Sequence, residues 1–296
     1  MPVIEPKRML SELTVREAMR RITVSIPADA SIEHVIRCAI KNKINAILTT
    51  DDKLEPLGVV SKTDVMGAYY AGISLRSPVR LIMSTPPFYC MPEDTLEQAL
   101  NIMRTKMVHR LYVPGESAGR GTGVISYPDI VGLLYRYCHR CERNLLRQRQ
   151  LAGLDDSNLL KVREVMTQQV RTQDEDESLM RVMEALAAHR FGALLITGGE
   201  GAPVGVISKT DLVLAYKHGL PPTRNAGTVM RTPVRSCSQE EDLVQAIRGM
   251  IFSDIQRVFV YRDVRENIVG VLSLSDAAQA RSGSCRACIS SRIEVL

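Results

Sequence analysis

The chain contains no tryptophan, and aromatic residues make up only 4% of its 296 positions. Single-stranded nucleic acid is gripped by stacking bases on exposed rings, so this composition supplies few platforms for it. Long apolar runs are missing too. Stretches such as Ala193-Leu194-Leu195-Ile196 fall far short of the ~20 residues that cross a bilayer, so no membrane partner is expected. The amino terminus carries Pro2, Glu5, Lys7 and Arg8 where a secretory signal needs an apolar segment, which reads as cytoplasmic. Seven cysteines, an odd number without a secretory signal, argue against a disulfide framework and for thiols, metal ligands or core positions. No glycine-rich dinucleotide fingerprint, phosphate-binding Gly-x-x-x-x-Gly-Lys loop, His-Glu-x-x-His or nucleophile elbow occurs, and the five histidines show no ligand spacing. An enzyme is therefore not expected.

What is present is ordinary globular material with an unusual internal order. Hydrophobic residues make up 45% of the chain and the net charge is +5, enough for two domains with sizeable cores. The charge is spread, apart from a cluster from Arg136 to Arg149 that reads as a solvated helix face rather than a nucleic-acid surface. The second half then repeats the first at a fixed offset of 147 residues: Met19 and Met166, Ser61 and Ser208, Met83 and Met230, Arg110 and Arg257, Asp129 and Asp276. Within each half the serine recurs after 65 residues, as Ser61 to Ser126 and Ser208 to Ser273. A constant offset without gaps means that the halves superpose, and a site built by one can be built again by the other.

Each of the four units opens with a short apolar-polar segment such as Ile22-Thr23-Val24, followed by turn chemistry and a stretch of helical period. Apolar residues at Ile32, Val35, Ile36, Ala39 and Ile40 form the stripe of a helix with one buried face. The stripe returns at Leu96, Ala99, Leu100 and Met103, at Leu179, Val182, Met183 and Leu186, and at Leu243, Ala246, Ile247 and Met250. Two strand-like runs follow, Ala46-Ile47-Leu48 and Leu57-Gly58-Val59-Val60 in the first unit, and a second helix starts at Ser61, Ser126, Ser208 or Ser273. The fold class is α+β. A β-α-β-β-α unit is too small to bury both faces of its sheet, so the units are expected to pair, two to a module.

The most sharply repeated phrase is a glycine, two apolar residues, serine, two variable residues and aspartate. It reads Gly58-Val59-Val60-Ser61-Lys62-Thr63-Asp64, Gly123-Val124-Ile125-Ser126-Tyr127-Pro128-Asp129, Gly205-Val206-Ile207-Ser208-Lys209-Thr210-Asp211 and Gly270-Val271-Leu272-Ser273-Leu274-Ser275-Asp276. Taken singly, Ser-x-x-Asp is a capping box, in which the serine hydroxyl accepts a backbone N–H and the acid favours the positive end of the helix dipole. A cap tolerates Glu, Gln, Thr or Asn, yet all four units use the same pair. A helix amino terminus is also suited to phosphate, and a carboxylate there can accept both hydroxyls of a ribose.

These features together resemble the CBS domain family, whose tandem pairs are called Bateman modules. The phrase Gly270-Val271-Leu272-Ser273-Leu274-Ser275-Asp276 and the dyad His109-Arg110 are most similar to the regulatory γ subunits of AMP-activated protein kinase. The resemblance implies repeats at 12-72, 76-140, 159-219 and 223-282, an inter-module linker at 141-158 and a tail at 283-296. It further implies an adenosine-nucleotide site in the cleft between the two units of a module, with ribose on the aspartate and phosphate on basic groups. Carried over, Ser61, Thr63 and Asp64 share a site with His109 and Arg110, while Ser208, Thr210 and Asp211 share one with Arg257, where Gln256 replaces the histidine. The clefts of Ser126 with Asp129 and Ser273 with Asp276 face Asn45-Ala46 and Gly192-Ala193; they lack the dyad, and Lys43 and Arg190 stand in as candidates. Adenine is expected near Ile22 to Val24 and Phe88 to Cys90.

The function that follows is a regulatory sensor of AMP, ADP or ATP acting on an unidentified partner protein, with no required cofactor. Whether the modules close on one another within one chain or chains pair as a homodimer stays open. A second reading rests on two Cys-x-x-Cys pairs, Cys138 with Cys141 and Cys285 with Cys288, again 147 apart. Each pair is suited to half a tetrahedral zinc site, so a metal or redox sensor on a CBS scaffold is the alternative. Against it, an i, i+3 pair of cysteines is commonly soft packing, and zinc is the weaker expectation.

Overall fold

The computed structural model describes residues 9–115, 123–136 and 160–280. The first repeat runs β1 (Ser25–Pro27), α1 (Ile32–Lys41), β2 (Ala46–Thr50), β3 (Pro56–Ser61) and α2 (Lys62–Tyr70). The second runs α3 (Leu96–Thr105), β4 (Arg110–Val113), β5 (Gly123–Ser126) and a helix α4 over 127–136. The third is β6 (Thr172–Asp174), α5 (Leu179–Ala188), β7 (Ala193–Thr197), β8 (Pro203–Ser208) and α6 (Lys209–Lys217). The fourth is β9 (Ser236–Ser238), α7 (Leu243–Phe252), β10 (Arg257–Tyr261), β11 (Ile268–Ser273) and α8 (Leu274–Gln279).

Within a repeat the central strand lies parallel to the opening strand and antiparallel to the third, so Ile26 faces Thr49 and Ile47 faces Val60. The second repeat keeps only β4 and β5 as named strands, with its opening strand reduced to a bridge between Tyr89 and Tyr112. Pro92 accounts for the shortening. In the other repeats the equivalent residues Ala28, Glu175 and Gln239 each donate an N–H to the central strand, a donor that proline lacks.

Of the stripe read from the sequence, Ile32, Val35, Ile36 and Ala39 on α1 are buried and Ile40 is partly buried, and the counterparts on α3, α5 and α7 are buried. Fully burying one such aliphatic side chain stabilises the fold by about 1.5–3 kcal/mol. All four helices end the same way without glycine, since Lys43, Met107, Arg190 and Asp254 take a left-handed φ of 52–54° just past the cap. Ile44 N–H then donates to Ala39 C=O, closing the helix end.

The chain divides into two compact units. One holds residues 1–22, 88–169 and 236–296, and the other residues 23–87 and 170–235. In the second of these, α1 and α2 share an apolar core with α5 and α6. Tyr69 and Tyr216 stack there with ring centroids 5.0 Å apart; Tyr69 Oη donates to Leu220 C=O at 2.7 Å and Tyr216 Oη donates to Ile73 C=O. In the other unit the core joins Leu96, Ala99 and Met103 to Leu243, Ala246 and Met250.

The opening segments are exchanged between tandem repeats. Arg20 bridges Val124, Ser84 bridges Val59, Thr167 bridges Val271 and Arg231 bridges Val206. Each lies against the third strand of its tandem neighbour. This explains why the expected strand at Ile22-Thr23-Val24 sits three residues later: Ile22 ends one compact unit, is 84% exposed, and leads to β1 in the other. The exchange also explains the repeated glycine. A Cβ on Gly58 would stand 2.8 Å from Ser84 O, and one on Gly270 would stand 2.6 Å from Met166 Sδ.

Candidate functional site

Ser61, Ser126, Ser208 and Ser273 are the N-caps, each in extended conformation at the end of a strand, and each aspartate three residues on reaches back to its serine. Ser61 N–H and Oγ donate to Asp64 Oδ2 at 2.7 and 2.6 Å, while Ser61 Oγ accepts from the N–H groups of Thr63 and Asp64. Ser208 holds Asp211 Oδ2 at 2.8 and 2.5 Å, and Ser273 holds Asp276 Oδ2 at 2.8 and 2.7 Å. In the second repeat Ser126 N–H donates to Asp129 Oδ2 at 2.9 Å, and its hydroxyl does the same. The capping box expected from the sequence is thus present at Ser61, Ser208 and Ser273, and its carboxylate half at Ser126; in all four repeats one carboxylate oxygen is committed and the direction of the other fixed.

That other oxygen, Oδ1, differs among the repeats. Asp129 Oδ1 pairs with Arg20 Nε at 2.9 Å, and Arg20 Nη2 reaches Asp129 Oδ2 at 3.3 Å. Asp211 Oδ1 accepts from Arg231 Nε. Among the described residues no hydrogen bond or ion pair reaches Oδ1 of Asp64 or Asp276. Burial raises the Asp276 carboxyl above the ordinary aspartate value, opposed by its bonds to Ser273 and by the charge of Arg257.

The basic dyad positions lie opposite the serines of their own repeats. Arg110 pairs in register with Ser126 and Arg257 with Ser273, where the first and third repeats have Ala46 and Ala193. Burial of the Arg110 guanidinium lowers its pKa, with Tyr112 and Asp129 acting against it; burial lowers that of Arg257, with Asp276 acting against it. Each arginine is therefore an electrostatic neighbour of the aspartate in its own repeat, an arrangement the sequence did not disclose. His109 packs edge-on against Tyr127, ring centroids 5.7 Å apart. Ser61 and Asp64 belong to one compact unit and His109 and Arg110 to the other; likewise Ser208 and Asp211 to one and Arg257 to the other.

Thr63 and Thr210, expected to meet ligand, accept hydrogen bonds from lysines. Lys209 Nζ donates to Thr63 Oγ1 at 2.8 Å and Lys62 Nζ donates to Thr210 Oγ1 at 2.9 Å. Two positive side chains thereby meet two helix amino termini, a setting that favours anions. At the equivalent places Tyr127 and Leu274 are buried and apolar in character. Sequence reading missed Lys62, Lys209, Arg20 and Arg231. Their positions in the fourfold alignment were the available signal. Near the expected adenine position, Lys106 Nζ stands 5.8 Å from the Phe88 ring centroid, and burial pushes the Cys90 thiol up to about 12. The residues Cys138, Cys141, Cys285 and Cys288 lie outside the described residues. Among the described residues no group of three or more His, Cys, Asp or Glu could hold a metal ion, and no helix is long and apolar enough to cross a membrane.

Comparison with protein families finds the CBS domain at residues 15–71, 79–136, 162–218 and 226–283. The chain belongs to the CBS domain family. Its four CBS repeats form two Bateman modules. An uncharacterized 33.4 kDa protein from the ribosomal RNA operon of Thermofilum pendens is 22% identical over 185 residues, covering 62% of this chain and 58% of that protein, so the chain spans less than two thirds of this relative. The uncharacterized protein MJ1225 of Methanocaldococcus jannaschii is 22% identical over 205 residues, 68% of this chain and 69% of that protein. The crystal structure of MJ1225, put forward as an archaeal homologue of γ-AMPK, matches with a TM-score of 0.72 at 17% identity, covering 90% of this chain and 99% of that one. A conserved uncharacterized protein of Pyrococcus horikoshii matches with a TM-score of 0.58 at 17% identity, over 91% of this chain and 100% of that one.

Proposed function

We propose that this CBS protein is a regulatory sensor of adenosine nucleotides of the AMP, ADP or ATP type, acting on a partner protein rather than catalysing a reaction. The observation that carries the reading is the fourfold aspartate held by its cap. One oxygen is spent on Ser N–H and Oγ, and the second is set at a helix start with no freedom to turn away. A carboxylate so fixed is a preorganised acceptor for ribose hydroxyls, because its orientation is settled before ligand arrives.

Phosphate recognition falls to His109, Arg110 and Arg257, with Ser61, Thr63, Ser126, Ser208, Thr210 and Ser273 at the helix starts. Arginine suits this role through its planar fork of donors. Partial burial of the Arg110 and Arg257 guanidiniums, which lowers their pKa, supports the assignment, since a half-buried cation is stabilised by an anion that water screens poorly. Ligand would act on the partner through differential affinity for two conformations.

The test is calorimetric titration with AMP, ADP and ATP of the full chain and of an Asp64→Ala plus Asp276→Ala variant, with thermal unfolding of both as a folding control. Binding by the parent that weakens at least tenfold in the variant is expected. Equal heats from two folded proteins refute the assignment.

A further inference from the structure

Four equivalent positions follow the methionine of each opening segment: Arg20, Ser84, Thr167 and Arg231. The backbone places them alike, each bridging the valine five residues before the aspartate of the repeat it lies against. Their side chains differ in one respect that matters chemically. Arginine spans the distance to the carboxylate, and both arginines have done so, with Arg20 on Asp129 and Arg231 on Asp211. The two carboxylates are covered, with side chains 11% and 5% exposed, while the arginines are 49% and 65% exposed. Serine and threonine are too short to reach, and neither Asp64 nor Asp276 receives a bond at Oδ1 among the described residues.

We propose that Arg20 and Arg231 are built-in competitors for ribose, so that nucleotide binds at Asp64 and Asp276 in preference to Asp129 and Asp211. The residue after each opening methionine then sets the order in which the four aspartates fill. This inference rests on the reading that the aspartates receive ribose hydroxyls. A guanidinium held on Oδ1, the oxygen that the serine leaves open, must withdraw before a ribose hydroxyl can take its place. Because the arginines are about half exposed, withdrawal is affordable, and the result is graded preference rather than a permanent block. The arrangement also lets anything that draws the arginines away raise the number of aspartates in use.

Titration of AMP into the full chain tests this with three proteins: the parent, an Arg20→Ser plus Arg231→Thr variant that copies the uncovered positions, and a Ser84→Arg variant that covers Asp64. The parent is expected to show two tighter sites per chain. The double variant is expected to gain affinity at Asp129 and Asp211, those two sites tightening by up to about fivefold. Ser84→Arg is expected to lose one tight site. Unchanged or weaker binding in the double variant overturns the inference alone, since it makes the arginines bystanders or phosphate ligands. Absence of AMP binding from all three proteins overturns the sensor reading and the inference together.

Discussion

Gly58→Ala and Gly67→Ala place the same methyl group nine residues apart and are expected to act in opposite directions. Gly58 lies on β3 beneath the exchanged opening segment, and an added Cβ meets Ser84 O at 2.8 Å, Thr85 Cγ2 at 2.9 Å and Met83 Sδ at 3.1 Å. The first of these is a backbone atom of a residue held by two bonds, Val59 N–H to Ser84 C=O and Ser84 N–H to Val59 C=O, each 2.9 Å. Met83 can shift its thioether, but the carbonyl nearest the methyl is backbone and cannot, so the segment must lift. Overpacking of this kind costs about 1–3 kcal/mol, and weakening two backbone bonds adds about 1 kcal/mol each. Alanine's smaller loss of chain entropy returns about 0.5–1 kcal/mol. The net expectation is a loss of roughly 2–4 kcal/mol. Gly67, by contrast, sits inside α2 with nothing within 4 Å of the added carbon, so alanine there stabilises by about 0.5–1 kcal/mol through helix propensity. Urea unfolding measures both shifts. Equal midpoints for Gly58→Ala and the parent would refute the close approach of the exchanged segment.

Other outcomes follow from the same geometry. Tyr69→Phe and Tyr216→Phe each remove a bond from a buried hydroxyl to a carbonyl, and each is expected to lower stability by about 1–2 kcal/mol in thermal unfolding, with non-additive losses in the double variant because the rings stack. Burial pushes the thiols of Cys90 and Cys237 up to about 12, so iodoacetamide at pH 8 is expected to leave both unmodified in the folded chain and to alkylate them in urea. Ribose needs the Asp276 carboxylate ionised, and burial raises that carboxyl above the ordinary value of 3.8. As pH falls through the raised value the acceptor gains a proton, so the nucleotide contribution of Asp276 is expected to be full above it and lost below it. Titrations of an Asp64→Ala variant with adenosine, which carries no titrating phosphate, follow this across pH 4 to 7.

The sequence disclosed whatever depends on neighbours in the chain. The buried stripe of α1 follows from Ile32, Val35, Ile36 and Ala39 at helical spacing, and the caps follow from Ser-x-x-Asp. What escaped depends on contacts far apart in sequence. Arg20 and Asp129 are 109 residues apart, and only the crossing of the opening segment unites them. The strand expected at Ile22-Thr23-Val24 was displaced for the same reason, since local alternation cannot show where a chain leaves one unit for another. Pro92, by contrast, was legible in principle. A residue without an N–H at a position where its three counterparts donate one marks the short sheet of the second repeat.

The traded opening segments carry a consequence for anyone who would dissect this molecule. A fragment trimmed to the family boundaries 79–136 discards Met19 and Arg20, which press on Gly123 and Asp129, and keeps Ser84, whose seat is Val59 in the piece thrown away. Such a fragment would show bare backbone on a strand edge and leave one sticky arm dangling, a recipe for two copies to hook into each other. The indivisible piece here is the tandem, not the copy.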